Sequence, residues 1–416
     1  MDKLNQGARG VGVGTRQSRF LSALVISEFA LSLVLLAGAG LLLRSFWKVL
    51  QVQPGFNADN LVTAHVWLPV PNDPRNNPYR TQSKRNEFLQ EVLQQLSALP
   101  GVSAVGIGGG NTPFGGARNA RSFEVQGRVS TAGEAPTAEL GSATTGLFRT
   151  LGTPLVRGRE FADTDDENGE KVALIDQTAA EKFFANEDPT GQQIRFAQFG
   201  PTQPWRRIVG VVARTRGDGL DAPYTPHIFM PARQVPLNPM MFYIRTSADP
   251  DALAEPVRRA IQSVDPDLPV FGVRSLRGVI AESLAARRFA MRVLGAFAAT
   301  ALLLAAIGIY GVMAYFVSQR SREIGVRMAL GAQRSDVLKL VVRQGMALAL
   351  SGVLAGFLAA LVLTRFMTGL LFAVSAYDPI ALASITVLLA TVALVANLLP
   401  ARRASMVDPI VALRYE

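Results

Sequence analysis

The sequence predicts an α+β membrane protein in which four transmembrane helices carry one large external domain, placed between the first helix and the second. Three observations predict it. Four long apolar stretches, at about Leu21–Leu43, Val293–Val317, Gln344–Thr364 and Pro379–Leu399, hold a single charged residue among them, Glu28. Each is long enough to supply the ~20 residues that a helix needs to cross ~30 Å of hydrocarbon. The segment Trp47–Ala286 between the first two is mostly polar. Its two ends each spell β-α-β, the two halves of a ferredoxin-like fold.

The apolar stretches are helices because every backbone N–H and C=O must be satisfied inside the bilayer, and the strict alternation of a barrel strand is absent. Composition fits this division: of 416 residues, 49% are apolar and 18% charged, and the net charge is +10. The basic residues bracket the helices instead of forming one stripe interleaved with aromatics, which excludes a nucleic-acid-binding protein. Lys3, Arg9, Arg16 and Arg19 precede the first helix, Arg320 to Arg343 fill the loop between the second and third, and Arg402, Arg403 and Arg414 follow the fourth. The positive-inside rule puts these regions in the cytoplasm and the large domain outside it. The first apolar run is too long for the h-region of a signal peptide and is expected to stay as an anchor. There is no Cys, so disulfides and thiolate metal sites are excluded.

Within the external domain, Leu61–Leu68 reads as a strand and Thr81–Leu99 as a helix with apolar spacing at Phe88, Val92, Leu93 and Leu96. Pro100-Gly101 stops that helix before a strand at Val102–Gly108. The second half reads as a strand at Met240–Thr246, a helix at Pro250–Val264 capped by Asp249, and a strand at Pro269–Arg274. The connection between the halves, about Asn111–Leu237, has short β-rich runs such as Val172–Ile175 and Ile208–Val212 and a short helix near Gln177–Ala185. It is expected to form a second, β-rich lobe erupting from the first.

Candidate chemistry in this domain is thin. Asp163, Asp165, Asp166 and Glu167 suggest a calcium loop, but an EF-hand starting at Asp163 would need Gly and Glu where the chain has Asn168 and Leu174, so a solvated turn is expected. His65 and His227 are the only histidines and lack further ligands for zinc or partners for a triad. The glycines at 7, 10, 12 and 14 and at 106 and 108–110 do not continue as G-K-[ST], so no Walker A is read and no ATP binding is expected of this chain. No catalytic residue, metal site or cofactor is expected.

The loop at 318–343 is different. SQRSREIGVRMALGAQRSDVLKLVVRQ sets Ile324, Met328 and Leu330 among charges at helical spacing, breaks at Gly331, and offers Ser335-Asp336 as the cap of the next helix. One reading is a basic interfacial helix resting on anionic headgroups. The other is a docking surface, favoured by the mixed-sign face that Glu323 makes with Arg322 and Arg327.

Inside the bilayer, Glu28 lies about 10 Å from the cytoplasmic end of its helix. It reads either as an interfacial residue paired with Arg16, Arg19 or another chain's cation, or as a contact in a dimer interface that moves with an ATP cycle. Gly352-x-x-x-Gly356 extends the small face of Gly345 and Ala349 and lets another helix approach closely, within the four-helix set in preference to a dimer seam. No chain of intramembrane acids suggests a proton-driven pump.

The run EIGVRMALGAQRSDV after LLLAAIGIYGVMAYFVSQRSR, the DPI at Asp378 and the ending LPARRASMVDPIVALRYE resemble the permeases of the MacB/FtsX class of ABC transporters. LGTPL at Leu151–Leu155 with Gly158, Arg159 and Phe161, then VALIDQTAAEKFF, EDPTGQQIRF and IVGVV, resemble the periplasmic core domain of that class. The resemblance covers nearly the whole chain. It implies a ferredoxin-fold porter lobe with an inserted lobe in the periplasm, and a bacterial inner-membrane location. It further implies pairing with a second permease copy or half, and mechanotransmission from a cytoplasmic ATPase, here a separate subunit, for efflux. A periplasmic adaptor is a further partner it suggests. The opening and the RYE ending look most like one half of the duplicated permeases of the class. On this resemblance the segments are 1–46 (N-terminal segment and first helix), 47–287 (periplasmic core, with the porter lobe at about 50–110 and 238–287 and the insert at 111–237) and 288–416 (permease domain). The coupling residues would be Arg320, Glu323, Arg327, Gly331 and Asp336. Two alternatives stay open: lipoprotein release or control of an envelope enzyme by the same mechanics, and a receptor-like membrane sensor.

Overall fold

The computed structural model describes residues 7–69, 77–110, 112–115, 119–128, 135–185, 187–196, 203–217, 219–235, 238–330, 333–366, 372, 374–375 and 378–406, and the side chains of all of these but 7–18 and 322. In chain order, α1 (Gly7–Leu50) is followed by β1 (Leu61–Val66), α2 (Gln82–Ser97), β2 (Val102–Gly110), β3 (Ala120–Ser122), β4 (Glu124–Val125), β5 (Thr137–Ala143), α3 (Leu147–Leu151), β6 (Leu155–Gly158), β7 (Val172–Asp176), α4 (Gln177–Phe183), β8 (Gln193–Arg195), β9 (Arg206–Val212), β10 (His227–Pro231), β11 (Met240–Thr246), α5 (Ala254–Val264), β12 (Val270–Ser275) and α6 (Leu276–Ser283). Long helices then return as α7 (Ala285–Gln319), α8 (Ser321–Ala329), α9 (Arg334–Leu363) and α10 (Pro379–Ser405). These elements form two units, Val52–Ala285 and the remainder, Met1–Gln51 with Ala286–Glu416.

In the first of these, the strands run β12-β1-β11-β2-β5-β10-β7-β9-β8-β4, with β3 on β5 and β6 on β9. The first four are antiparallel in the order of a ferredoxin-like sheet. Phe88, Val92 and Leu96 of α2 and Val257 and Ile261 of α5 pack on Val62, Val66, Ile107, Phe242 and Ile244. Along β11 the alternate residues Met241 and Tyr243 face a second core with Leu147, Leu151 and Phe229. A strand covered on both faces reads as the unbroken apolar run MMFYI, not as an alternating one. Tyr243 is fully buried, and its hydroxyl donates to the Pro113 carbonyl at 2.6 Å, which removes the cost of burying it.

The connection between the halves does not stand apart as its own sheet. It continues the first one through the pairing of β2 with β5, Gly108 opposite Ala143 and Gly110 opposite Gly141. The glycines at 106 and 108–110 therefore lie in a strand, not in a phosphate loop. A Cβ at Gly106 would sit 2.7 Å from the Leu147 Cα, so the glycine lets α3 rest directly on β2.

Asp249 does not cap α5. Its carboxylate accepts from the Asp251 N–H at 3.1 Å and closes a turn, and the helix begins only at Ala254, behind Leu253. The Pro250 carbonyl is occupied by the Leu253 N–H, which delays the first full helical turn. Thr81, by contrast, caps α2 by accepting from the Lys84 N–H at 3.3 Å.

The acidic turn at 163–169 is organised by an arginine. Asp165, 4% exposed, takes both guanidinium nitrogens of Arg159, at 2.7 and 2.9 Å, and the Ala162 N–H at 2.8 Å. Burial by itself raises the pKa of such a carboxyl. The hydrogen bonds and the charges of Arg159 and Arg207 outweigh it and hold Asp165 below the usual carboxylate range. A lowered folded-state value means that its stabilisation is present above about pH 4 and is lost as the pH falls through that lowered value. Acid unfolding of the chain is expected to begin at higher pH in Arg159→Ala than in the unaltered protein, by circular dichroism. Coincident acid transitions would remove Asp165 from the account.

In the helical unit, four helices among the described residues are long and apolar enough to cross a membrane: Arg19–Leu50, Ala285–Gln319, Arg334–Phe366 and Pro379–Ser405. They run past the predicted apolar stretches because helices continue into the flanking polar residues until a cap or a break stops them. α9 packs between α1 and α10. Their shared core holds Phe29, Leu33, Ile309, Val341, Val353 and Leu389, while Leu31, Leu304, Leu354 and Val387 stay exposed, as helices solvated by hydrocarbon allow. Arg44 of α1 is ion-paired with Asp378, whose carboxylate also caps α10 ahead of Pro379.

Candidate functional site

Of the residues singled out in the 318–343 loop, Arg320, Glu323 and Arg327 form one side of a groove. α7 ends at Gln319, and Arg320 sits at the turn into α8, its N–H bonded to the Phe316 carbonyl at 3.1 Å. Ile324 is 6% exposed and joins the helical core with Val337 and Val341, and Met328, one turn on, packs against it. That apolar seat turns Arg320, Glu323 and Arg327 outward, since residues three and four apart share a helix face. Glu323 takes an N–H of Arg327 at 2.6 Å and lies 3.9 Å from the Arg320 guanidinium. Leu330, expected on the apolar face, is instead 82% exposed, because it is the C-cap beyond the last turn of α8. Gly331 lies outside the described residues.

α9 supplies the facing wall. Its N-cap is Gln333, not Ser335-Asp336. Gln333 has the extended backbone of a cap, and the Asp336 carboxylate reaches back to its N–H at 3.1 Å in a reciprocal capping box. From Asp336 the positions Lys339, Leu340 and Arg343 recur every three or four residues on the same face. Together with Arg320, Glu323 and Arg327 they enclose an open groove of about 590 Å³. Four cations and two carboxylates thus converge. Lys339 and Arg343 were visible in the sequence only as positive-inside charges, although their spacing from Asp336 is the signal that places them here.

Two further singled-out features lie within the helical unit. Gly345 faces the Asn397 carboxamide, where a Cβ would overlap it. A Cβ at Gly352 would meet the Phe29 Cβ at 2.5 Å and the Ile26 carbonyl at 2.9 Å, and one at Gly356 the Ala30 Cα at 2.8 Å. The small face of α9 is occupied by α1 and α10. Glu28 is turned to Gly308 of α7, leaving no room for a side chain there, and its Oε2 is buried without a hydrogen bond. It makes no ion pair with Arg19 among the described residues, and the Arg16 side chain lies outside them. The neighbouring Ser32 hydroxyl bonds both the Glu28 carbonyl at 2.7 Å and the Ala301 carbonyl at 2.9 Å, joining α1 to α7.

Elsewhere, His227 is buried on Asp176, Nδ1 to Oδ2 3.5 Å, and His65 stacks on Phe271. The two histidines sit on different strands, and no group of three potential metal ligands occurs among the described residues.

The family model for the MacB-like periplasmic core domain matches residues 21–264, and that for the FtsX-like permease C-terminal domain matches 295–409. The pyoverdine export ATP-binding/permease protein PvdT of Pseudomonas putida is 28% identical over 277 residues, which is 63% of this chain and 41% of that protein. The macrolide export ATP-binding/permease protein MacB 2 of Aeromonas hydrophila is 28% identical over 283 residues, 65% and 42% respectively. The chain thus spans about two fifths of the length of these relatives. The crystal structure of the periplasmic region of MacB from Actinobacillus actinomycetemcomitans aligns with 57% of this chain and 97% of its own, at 17% identity and a TM-score of 0.36. Matched by the core-domain model over more than half its length and by the permease model over its last three long helices, the chain belongs to the MacB/FtsX class of ABC transporter permeases.

Proposed function

We propose that this chain is the permease subunit of an ATP-driven exporter, that a separate cytoplasmic ATPase docks in the groove between α8 and α9, and that its cycle drives movement of the sheet domain. The observation that carries the reading is the groove itself. Ile324 fixes α8 to the helical core, so a force applied at Arg320, Glu323 and Arg327 is delivered to the long helices and not dissipated in a loose loop. A mixed set of fixed charges suits a protein surface of complementary pattern better than a uniformly anionic lipid surface. Export as the direction is supported by the names of the relatives, pyoverdine and macrolide export proteins that combine ATP-binding and permease functions. The Lys and Arg bias at the helix ends supports a bacterial inner-membrane orientation with the groove in the cytoplasm and the sheet domain in the periplasm. A second copy or half of the permease completes the assembly in this reading, and a periplasmic adaptor extends it.

The test is purification of the tagged chain from its native membrane in mild detergent, with identification of co-purifying proteins and an ATPase assay. A stoichiometric ATP-binding partner is expected. A folded chain that emerges alone and inert would overturn the reading.

A further inference from the structure

The sheet domain holds a cavity of about 600 Å³ beside the seam between β2 and β5, a volume within the range of small-molecule sites. Arg206, the first residue of β9, lines it and is only 7% exposed. Its partner is neutral: Nη1 donates to the Gln234 side-chain oxygen at 3.0 Å, and Gln234 is held by its own amide donating to the Glu170 carbonyl at 2.7 Å. Among the described residues no carboxylate pairs with Arg206, and burial alone pulls its guanidinium down to about 10. Other arginines of the sheet domain are paired with carboxylates: Arg195 with Glu124, Arg207 with Glu170, Arg159 with Asp165 and Arg214 with Glu181. A buried cation left without a counter-charge is destabilising, and a well-packed apolar side chain in its place is often neutral or better.

The rest of the cavity says what would complete it. Phe196, Met230 and Leu140 supply an apolar wall, and Arg121, an exposed residue, also lines it. One desolvated cation matches one negative charge, so a nucleotide or other polyphosphate would leave charge unmet in apolar surroundings. We propose that this cavity binds a compact amphipathic carboxylate, its carboxylate paired with Arg206 and its apolar body against Phe196, Met230 and Leu140. This site is independent of the ATPase groove and does not rest on the export reading.

The experiment uses the full chain in lipid nanodiscs, with empty nanodiscs subtracted, and follows binding of 1-naphthaleneacetate and its uncharged amide by calorimetry. Charge-assisted hydrogen bonding predicts that the acid binds at least about tenfold more tightly than the amide. Arg206→Met is expected to lose that preference, bind the amide as before and melt no lower than the unaltered chain. Equal affinities for acid and amide, no saturable acid binding at about 1 mM, or full acid affinity in Arg206→Met would each overturn the proposal. The acid-to-amide comparison is made on the unaltered chain, so it decides the matter even where the variant does not fold.

Discussion

Glu323→Lys is expected to leave the chain folded and inserted while abolishing its hold on the ATPase proposed to dock at the groove. The cost to the isolated chain is small. Glu323 is about half exposed, and its bond to Arg327 is an i,i+4 pair worth roughly 0.3–0.5 kcal/mol. The new lysine would face Arg320 and Arg327 across solvent, where repulsion is of the same order and is screened by salt. Against a docked partner the balance differs. Reversing a charge in a desolvated interface juxtaposes like charges and costs several kcal/mol, and each 1.4 kcal/mol is about tenfold in affinity. Co-purification of the partner should therefore fall by about a hundredfold or more, and Glu323→Gln should lie between. Thermal unfolding of the isolated variant should match that of the unaltered chain within about 1 kcal/mol. Normal stimulation of the partner ATPase by Glu323→Lys would sink the assignment of the groove.

Gly352→Ala and Gly356→Ala set two effects against each other, and the packing effect is expected to win. Helix propensity favours alanine over glycine by about 1 kcal/mol inside a helix. At Gly356, however, the added methyl would meet the Ala30 carbonyl and Cα at 2.8 Å and the Leu33 Cβ at 3.0 Å, and at Gly352 the Ile26 carbonyl at 2.9 Å. These are mainly backbone atoms of α1, which cannot rotate aside, so the two helices must separate. Overpacking of this kind costs about 1–3 kcal/mol or more, a net loss after the propensity gain. Gly311→Ala is the control, since nothing lies within 4 Å of a Cβ there, and it should be neutral or slightly stabilising. Thermal unfolding in one detergent compares all three. Equal stability of Gly356→Ala and Gly311→Ala would mean that α1 does not lie on this face of α9.

Which parts of this molecule could be read without coordinates follows from the range of the forces involved. Hydrocarbon tolerates no unpaired backbone, so four apolar stretches already determined four long helices, and the periodic apolar positions of α2 with the unbroken apolar run of β11 pointed to the ferredoxin-like halves. The mixed-charge loop was legible too, because Glu323 and Arg327 face the same way by helical spacing alone. Caps were less so: Asp249 and Asp336 are both good capping residues, and only the local backbone decided that one closes a turn and the other completes a box with Gln333. The continuation of the sheet from β2 into β5 was invisible, since strand pairing joins residues far apart in the chain and Gly108–Gly110 carry no side-chain signal. The same holds for the groove wall, where α8 meets Lys339 and Arg343 only after Ile324 is seated. Arg206 and Arg207 are adjacent and identical in type, yet the fold gives Arg207 the Glu170 carboxylate and buries Arg206 with no carboxylate partner among the described residues. Residue type and spacing determine the local element and the solvent it belongs in, whereas the partner each charge finds depends on long-range packing and is decided by tertiary structure alone.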